Sequence, residues 1–567
     1  MIISLKKIIR EIDLNEIIIV FCLSVIVIIL SLAHIVYGSS KTLPGNYYLF
    51  NGHYYLDYFY YLSFVGQGIF GKLMATQVFS TEDISTYPHL WPYILTGQLG
   101  KLFLLDVIKS YWASTIISIF LYIFLSFLMI EKILKTQNFT TKFAALLLAT
   151  FSSPLFIPLS FKAGLHIKVF EYWYSYGNFF HRFETVPHHL LSNVLVLTVI
   201  LVASKLISLK GNLNKLIIIL YSFLIFVILF AAFSINPFST AIVFGSIMLM
   251  MTVMTVYFGI IEKNYKKAAN ISFATALTGG LFILSAMIYR YFYVNDPTFL
   301  KNFEETEARF HQFIDFKTWI LNIGIISFFI PFGLKPFIKK LTPIKLILIF
   351  TVILSTIFYF SRIDQIFGTH NGRFISPVNH LFYASVAILG IKEISKRVTK
   401  LPNFFSILII LVLLSFIPPN IVFYKQMITD KNIISPISYL PKGIIQGYHF
   451  LNEHKDNKAV LTTPSQFLGQ VLPAFVDKKV YIARYIATPN FLEKSYVVDW
   501  FYLGRMSTDE AHAFLLKNTI GYITLTSIEG YVTEPFLKYP FKEKIFKNYS
   551  FLKQIYINND IVIFKVN

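Results

Sequence analysis

Long apolar runs alternate with short polar connections along most of the chain. Runs of roughly 18–22 residues, each long enough to cross a bilayer as a helix, are read at 16–36, 110–130, 143–161, 190–207, 216–235, 241–261, 268–289, 316–334, 344–360, 374–391 and 404–424. The first is too long for a secretory signal, and no small-residue cleavage motif closes it, so it is expected to stay as an uncleaved anchor. After Tyr424 the pattern shortens to that of an α/β domain: helices at 443–454, 466–476, 488–503 and 507–517, strands at 459–463, 479–483 and 521–526, and a closing hairpin of 553–557 and 561–565 around Asn558–Asn559–Asp560. Ser507 with Glu510 three residues on reads as a capping box.

The connections differ in charge. Short basic ones carry Lys6, Lys7 and Arg10, then Lys132, Lys135 and Lys142, Lys205, Lys210 and Lys215, Lys263, Lys266 and Lys267, Lys335, Lys339, Lys340 and Lys345, and finally Lys392, Lys396, Arg397 and Lys400. Such loops belong on the cytoplasmic side. The N-terminus is then cytoplasmic, and an odd number of spans leaves the C-terminus outside. The longer, more dilute connections, 37–109, 162–189, 290–315 and 361–373, face the exterior. The expected architecture is a polytopic α-helical membrane domain over 1–428, with about eleven transmembrane helices, followed by an extracytoplasmic α/β domain over 429–567.

Composition supports a membrane chain. Of 567 residues, 55% are hydrophobic and only 14% charged, against about a quarter in soluble proteins. A single compact cytosolic domain, a coiled coil and a disordered chain are all excluded. The net charge of +20 would suggest nucleic acid in a soluble protein, but here much of it reports orientation, and no nucleic-acid partner is expected. Cys22 is the only cysteine, so there is no internal disulfide and no multi-cysteine metal site. Richness in Ile, Lys, Asn and Phe suggests an AT-rich genome and a bacterial cytoplasmic membrane.

The span centres hold essentially no Asp, Glu, Lys or Arg. Ion-coupled transporters place ionisable groups there, so the chemistry is sought at the external rim. In the first external loop Asp57 is the only acid of the aromatic segment His53–Lys72, and YPHLWPYILTGQLG follows from Tyr87 to Gly100. On these residues the chain resembles the GT-C superfamily of membrane glycosyltransferases. Asp57 matches the family's first-loop acid, Tyr60 or Tyr61 the tyrosine, Gly68 and Gly71 the glycines, and 88–97 the proline-rich segment. The resemblance implies a GT-C-like fold and an inverting transfer, in which Asp57 is the general base that takes the acceptor's proton. The donor would be a polyprenyl-phosphate or polyprenyl-diphosphate sugar and the acceptor a protein, lipid or envelope glycan. Family members often carry a second acid directly after the first, where this chain has Tyr58. That departure puts metal binding in doubt: the resemblance allows a divalent cation, but one carboxylate among aromatics is a poor cation site. No metal ligands are assigned.

The resemblance also implies a second acid in the loop 162–189, where Glu171 and Glu184 are both candidates. A lipid phosphate needs fixed positive charge, for which Arg182 beside His181 and Arg373 after His370 are suited, unless they pair with Glu184 or Asp364. Tyr61, His89 and His188 complete the expected substrate contacts. The His188–His189 pair lacks a third metal ligand and reads better as a helix start. Glu304, Glu305, Glu307 and Arg309, at helical spacing, read as a solvated interfacial face. Asn548-Tyr-Ser is formally a glycosylation sequon. Two other classes stay open: a transporter or lipid flippase, and a non-catalytic glycan- or lipid-binding envelope protein.

Overall fold

The computed structural model describes residues 13–52, 54–82, 87–161, 164–172, 175–183, 186–209, 214–294, 307–398, 403–429, 436–528 and 548–567. Glu184, Trp173, Glu304, Glu305 and the basic residues Lys6, Lys7, Arg10, Lys210 and Lys400 lie outside them.

Eight helices among the described residues are long and apolar enough to cross a membrane, and nine if one sharply bent pair counts as a single span. They make the chain a multi-pass membrane protein, and the expected count of about eleven is not reached among the described residues. Local chemistry sets their ends. Pro187, Pro237 and Pro343 stand at the first helical position, where a missing N–H costs nothing. Asn214 and Thr342 cap by accepting from Leu216 N and Lys345 N.

Three of the expected spans take other forms. The run 143–161 is a helix only over Phe139–Phe151, 13 residues long, or about 20 Å at helical rise. Ser152 turns to extended geometry two residues ahead of Pro154, which has no N–H with which to continue the helix. The chain then forms an antiparallel hairpin, Phe156–Phe161 with Gly164–Val169. The run 316–334 breaks between Phe316–Ile323 and Ile325–Ile338, which meet at 97°. Gly324 sits at the break with φ +84, and an added Cβ would strike Ser153 O, so only glycine fits there. The run 374–391 becomes helical at Asn379, after Pro377, and extends to Arg397. It is buried throughout from Asn379 to Ile391 and is not among the eight. Gly390 and Gly333 bring it against the helix Ile330–Ile338, because an added Cβ at Gly333 would lie 2.8 Å from Gly390 N.

The chain divides into two compact units. One comprises 1–31, 116–291 and 304–425 and holds most of the spanning helices around an aliphatic core that includes Val27, Ile123, Leu197, Ile247, Leu348 and Ile388.

The other comprises 32–115, 292–303 and 426–567, so the first long loop folds together with the C-terminal region. Asn46–Tyr48 pairs antiparallel with Tyr439–Pro441. The helix Tyr55–Ile69 packs against both Trp91–Leu102 and Leu468–Phe475, and glycines permit both approaches. An added Cβ at Gly68 would strike Ile94 O and lie 2.9 Å from Gly97 Cα, while one at Gly66 would lie 3.0 Å from the backbone carbon of Ala474. The C-terminal sheet runs Ala459–Leu461, Ile520–Thr526, Ile561–Val566, Leu552–Ile557 in spatial order, the first pair parallel and the others antiparallel. The helices expected at 443–454, 466–476, 488–503 and 507–517 appear as Lys442–Glu453, Leu468–Phe475, Phe491–Tyr502 and Thr508–Lys517. The capping box at Ser507 has both halves, 3.3 and 2.8 Å. The segment expected as strand 479–483 makes only two isolated bridges, Val480 to Val460 and Ile482 to Ser80. Part of its hydrogen bonding goes to the first loop instead, with Val480 N donating to Val78 O at 2.8 Å.

Candidate active site

Asp57 lies in the first turn of the helix Tyr55–Ile69, where the helix dipole favours a carboxylate. Adjacent residues on a helix point about 100° apart, and here that separation splits Asp57 from Tyr58. The Asp57 side chain is 39% exposed. Tyr58 is fully buried, donates its hydroxyl to Leu49 O at 2.7 Å and lies edge-on to Tyr111. The position where the family's second acid would fall is thus part of the core, and a carboxylate there would be buried without a counter-charge.

Arg484 donates through Nη2 to Asp57 Oδ1 and through Nη1 to Leu56 O at 3.2 Å. Its guanidinium lies 4.8 Å from the centre of the Tyr60 ring, a cation–π contact. Burial works against its charge, but the Asp57 carboxylate and the neighbouring tyrosines more than offset that and hold its pKa above the ordinary arginine value. A tight turn aims the residue: Ala487 N and Thr488 N both donate to Arg484 O, and Thr488 Oγ1 donates to Phe79 O at 2.8 Å. Gln77 Nε2 reaches Ala487 O at 2.7 Å, and Lys494 Nζ reaches Ser80 Oγ at 3.0 Å. The first loop and the C-terminal region thus hold the pair from both sides.

Tyr61 stacks on Tyr93 with ring centroids 4.8 Å apart and planes 8° apart. It stands one helical turn from Asp57 and extends an aromatic wall on that side. His89 is half-buried, and burial pushes its pKa down to about 4, so it is neutral at physiological pH.

The other expected site residues belong to the first unit. The Glu171 side chain is 6% exposed and accepts from Asn178 Nδ2, and it lies 2.8 Å from His181 Nδ1. Asn178 in turn caps the short helix Phe179–Arg182 by accepting from His181 N at 2.8 Å. Arg182 is 1% exposed. Its terminal nitrogens donate to the carbonyls of Tyr176 at 2.8 Å, Gly177 at 3.0 Å, Thr150 at 2.9 Å and Ser152. Burial lowers its pKa to about 10, which still leaves it charged. Four carbonyls consume the four terminal N–H groups, so the geometry makes Arg182 a fastener of this loop and leaves no terminal donor for a phosphate. His188 stands at the start of Pro187–Ser208, its ring 4.2 Å from that of His189.

Arg373 pairs with Glu307, and Glu184, one of its expected partners, lies outside the described residues. The Arg373 Nε and Nη2 form a two-point contact with Glu307, 3.0 and 2.8 Å long. Glu307, expected on a solvated face, is buried and also lies 3.4 Å from His370 Nε2. Burial first, and then the charge of Arg373, push the His370 pKa down to about 3. Asp364 is fully buried and pairs with His311 Nδ1 at 2.5 Å.

Sequence reasoning missed Arg484 and His311 as site neighbours, and it misread Glu307. Arg484 lies 427 positions from Asp57, and no spacing rule links residues so far apart. Among the described residues, no three His, Cys, Asp or Glu side chains come together as a metal set. At Asp57 the guanidinium already supplies the positive charge that a cation would bring, so the residues there do not fit a divalent metal.

No protein-family model matches the chain, and no curated protein matches it. Among solved structures it is similar to the archaeal oligosaccharyltransferase AglB from Archaeoglobus fulgidus in complex with an inhibitory peptide and a dolichol-phosphate. That match has 13% identity and a TM-score of 0.44 and covers 88% of this chain and 69% of that one. The apo form of the Archaeoglobus fulgidus oligosaccharyltransferase gives 13% identity and a TM-score of 0.47 over 90% and 70% of the two chains. The form tethered to an acceptor peptide containing the NVT sequon gives 11% and 0.44 over 88% and 69%.

Proposed function

We propose that the chain is a GT-C-type glycosyltransferase that moves a sugar from a polyprenyl-phosphate or polyprenyl-diphosphate donor to an acceptor at the outer face of a bacterial cytoplasmic membrane. The reading rests on the setting of Asp57, a half-exposed carboxylate on a glycine-clamped helix, oriented by Arg484 and flanked by the tyrosine rings of its own helix. In this reading Asp57 takes the proton from the acceptor's nucleophilic atom as that atom attacks the anomeric carbon. The bond from that carbon to the phosphate oxygen breaks in the same displacement, and configuration inverts. Arg484 fixes the direction of the carboxylate without neutralising it by protonation. Tyr61, stacked on Tyr93, offers an apolar face to a sugar ring, and neutral His89 a hydrogen-bonding one. In the other unit, Arg373, fixed by its two-point contact with Glu307 and with neutral His370 beside it, is proposed as a phosphate contact in its own right. Glu171, His181 and Arg182 position the second loop.

A second reading is favoured by the same ion pair. Asp57 would be a purely structural partner of Arg484, and the chain a non-catalytic glycan- or lipid-binding envelope protein. The two readings separate in one experiment. The purified protein in nanodiscs is incubated with a panel of labelled polyprenyl-linked sugars and membrane-extract acceptors, alongside the Asp57→Asn variant. The enzyme reading expects labelled product from the wild type and none from a folded Asp57→Asn. Undiminished product from that variant would remove Asp57 as the base.

A further inference from the structure

The helix Trp91–Leu102 turns a row of leucines outward. Leu95, Leu99 and Leu102 recur at helical spacing and all are exposed. The turn that ends the helix continues the row, with Leu102 72%, Phe103 68% and Leu104 94% exposed. The turn is a defined structure: Phe103 N donates to Leu99 O at 3.0 Å and Leu105 N to Gly100 O at 2.9 Å. Leu104 is held at φ +57, a conformation in which a leucine side chain is strained. A second segment joins the same surface. Gln98 Nε2 donates to Lys72 O at 2.8 Å, which sets Leu73 (84% exposed) and the exposed Met74 beside the helix.

Large exposed apolar side chains from two segments joined by that hydrogen bond are not left to water, and their place in the chain identifies their occupant. Three residues after Leu104, Val107 begins the 27-residue spanning helix Val107–Ile133. Three residues reach at most about 10 Å, so Leu104 lies within that distance of the point where the chain enters the bilayer. Lys101, Asp106 and Lys109 around the turn give the polar rim expected at headgroup level.

We propose that this surface is seated in the acyl-chain boundary of the outer leaflet, with phospholipid acyl chains as its occupant. The helices Tyr55–Ile69 and Trp91–Leu102, which touch through Gly68 and Gly97, are then a membrane-seated pair in addition to the spanning helices. The seating does not depend on whether the chain is an enzyme.

The test uses the full-length protein in phosphatidylcholine nanodiscs. Cys22, the only cysteine, is changed to Ser, and Leu104→Cys is labelled with an environment-sensitive fluorophore. Leu73→Cys serves as a second reporter and Asp509→Cys, on an exposed polar face of the C-terminal region, as the aqueous control. The expected result is blue-shifted emission at 104 and 73, quenched by phospholipid carrying a nitroxide on its acyl chain and little affected by iodide, with the reverse at 509. Quenching of 104 and 73 by iodide in place of the lipid nitroxide would overturn the proposal. Protection from both quenchers would also overturn it, by assigning the surface to a protein partner or a second copy.

Discussion

Arg484 donates through Nη2 to the Oδ1 of Asp57, a carboxylate 427 positions earlier in the chain. The contact joins the first long loop to the C-terminal region within one folded unit. The C-terminal region thereby contributes a side chain directly to the candidate base.

Asp57→Asn keeps an oxygen to accept from Arg484 and loses only the charge and the ability to take a proton. Sugar transfer should fall by about 10²–10⁴-fold, the usual share of a general base, with little change in Tm. Initial rates with a polyprenyl-linked donor, together with a melting curve, check both halves.

Arg484→Ala removes the partner of a half-exposed carboxylate and a ring contact with Tyr60. The expected loss is about 1–3 kcal/mol, at the lower end because solvent screens Asp57. Arg484→Lys keeps the charge but cannot reach Leu56 O and Asp57 with one rigid fork. It should restore most of the stability and only part of the transfer rate.

Gly97→Ala places a methyl group 2.8 Å from Gly68 Cα and against Val65 O. Both neighbours are backbone, so the helices Tyr55–Ile69 and Trp91–Leu102 must separate, at a cost of about 1–3 kcal/mol. Gly45→Ala meets no atom within 4 Å and bears only the strain of its own positive φ, so it serves as a comparison in thermal unfolding.

Arg182→Met strips four backbone carbonyls of their donors in a buried site. A loss on the order of 3–5 kcal/mol is expected, read as a lower Tm or poor recovery of folded protein. A stability close to wild type would show that those carbonyls find other partners.

Asp499 carries a buried Oδ1 that finds no hydrogen-bond partner among the described residues, and burial raises its pKa from 3.8 to about 7. The folded chain therefore binds this proton more tightly than the unfolded chain does. The resulting stabilisation is complete below about pH 3.8 and is lost as pH rises through about 7. Asp499→Asn should flatten that part of the stability curve and melt higher than the wild type at pH 8. Equal pH slopes for the two proteins would contradict the assignment.

The sequence by itself determined the membrane class, the positions of the long spanning helices and most of the C-terminal elements. Each of these depends on short-range periodicity and end chemistry: the apolar runs, prolines at first helical positions, and the Ser507–Glu510 box. It also singled out Asp57, Gly68 and the segment ending at Gly97 through a family resemblance. What those glycines do physically, holding two helices at backbone contact, emerged only from the packing. Tertiary structure alone decided the partners. Glu307 is one turn of polar sequence until Arg373 closes on it, Arg182 looks available until four carbonyls take its donors, and Arg484 is one basic residue among fifty until folding brings it to Asp57. Hydropathy is a property of neighbours along the chain, whereas a charge finds its partner across the fold, and the sequence could not show which of its few charges would meet.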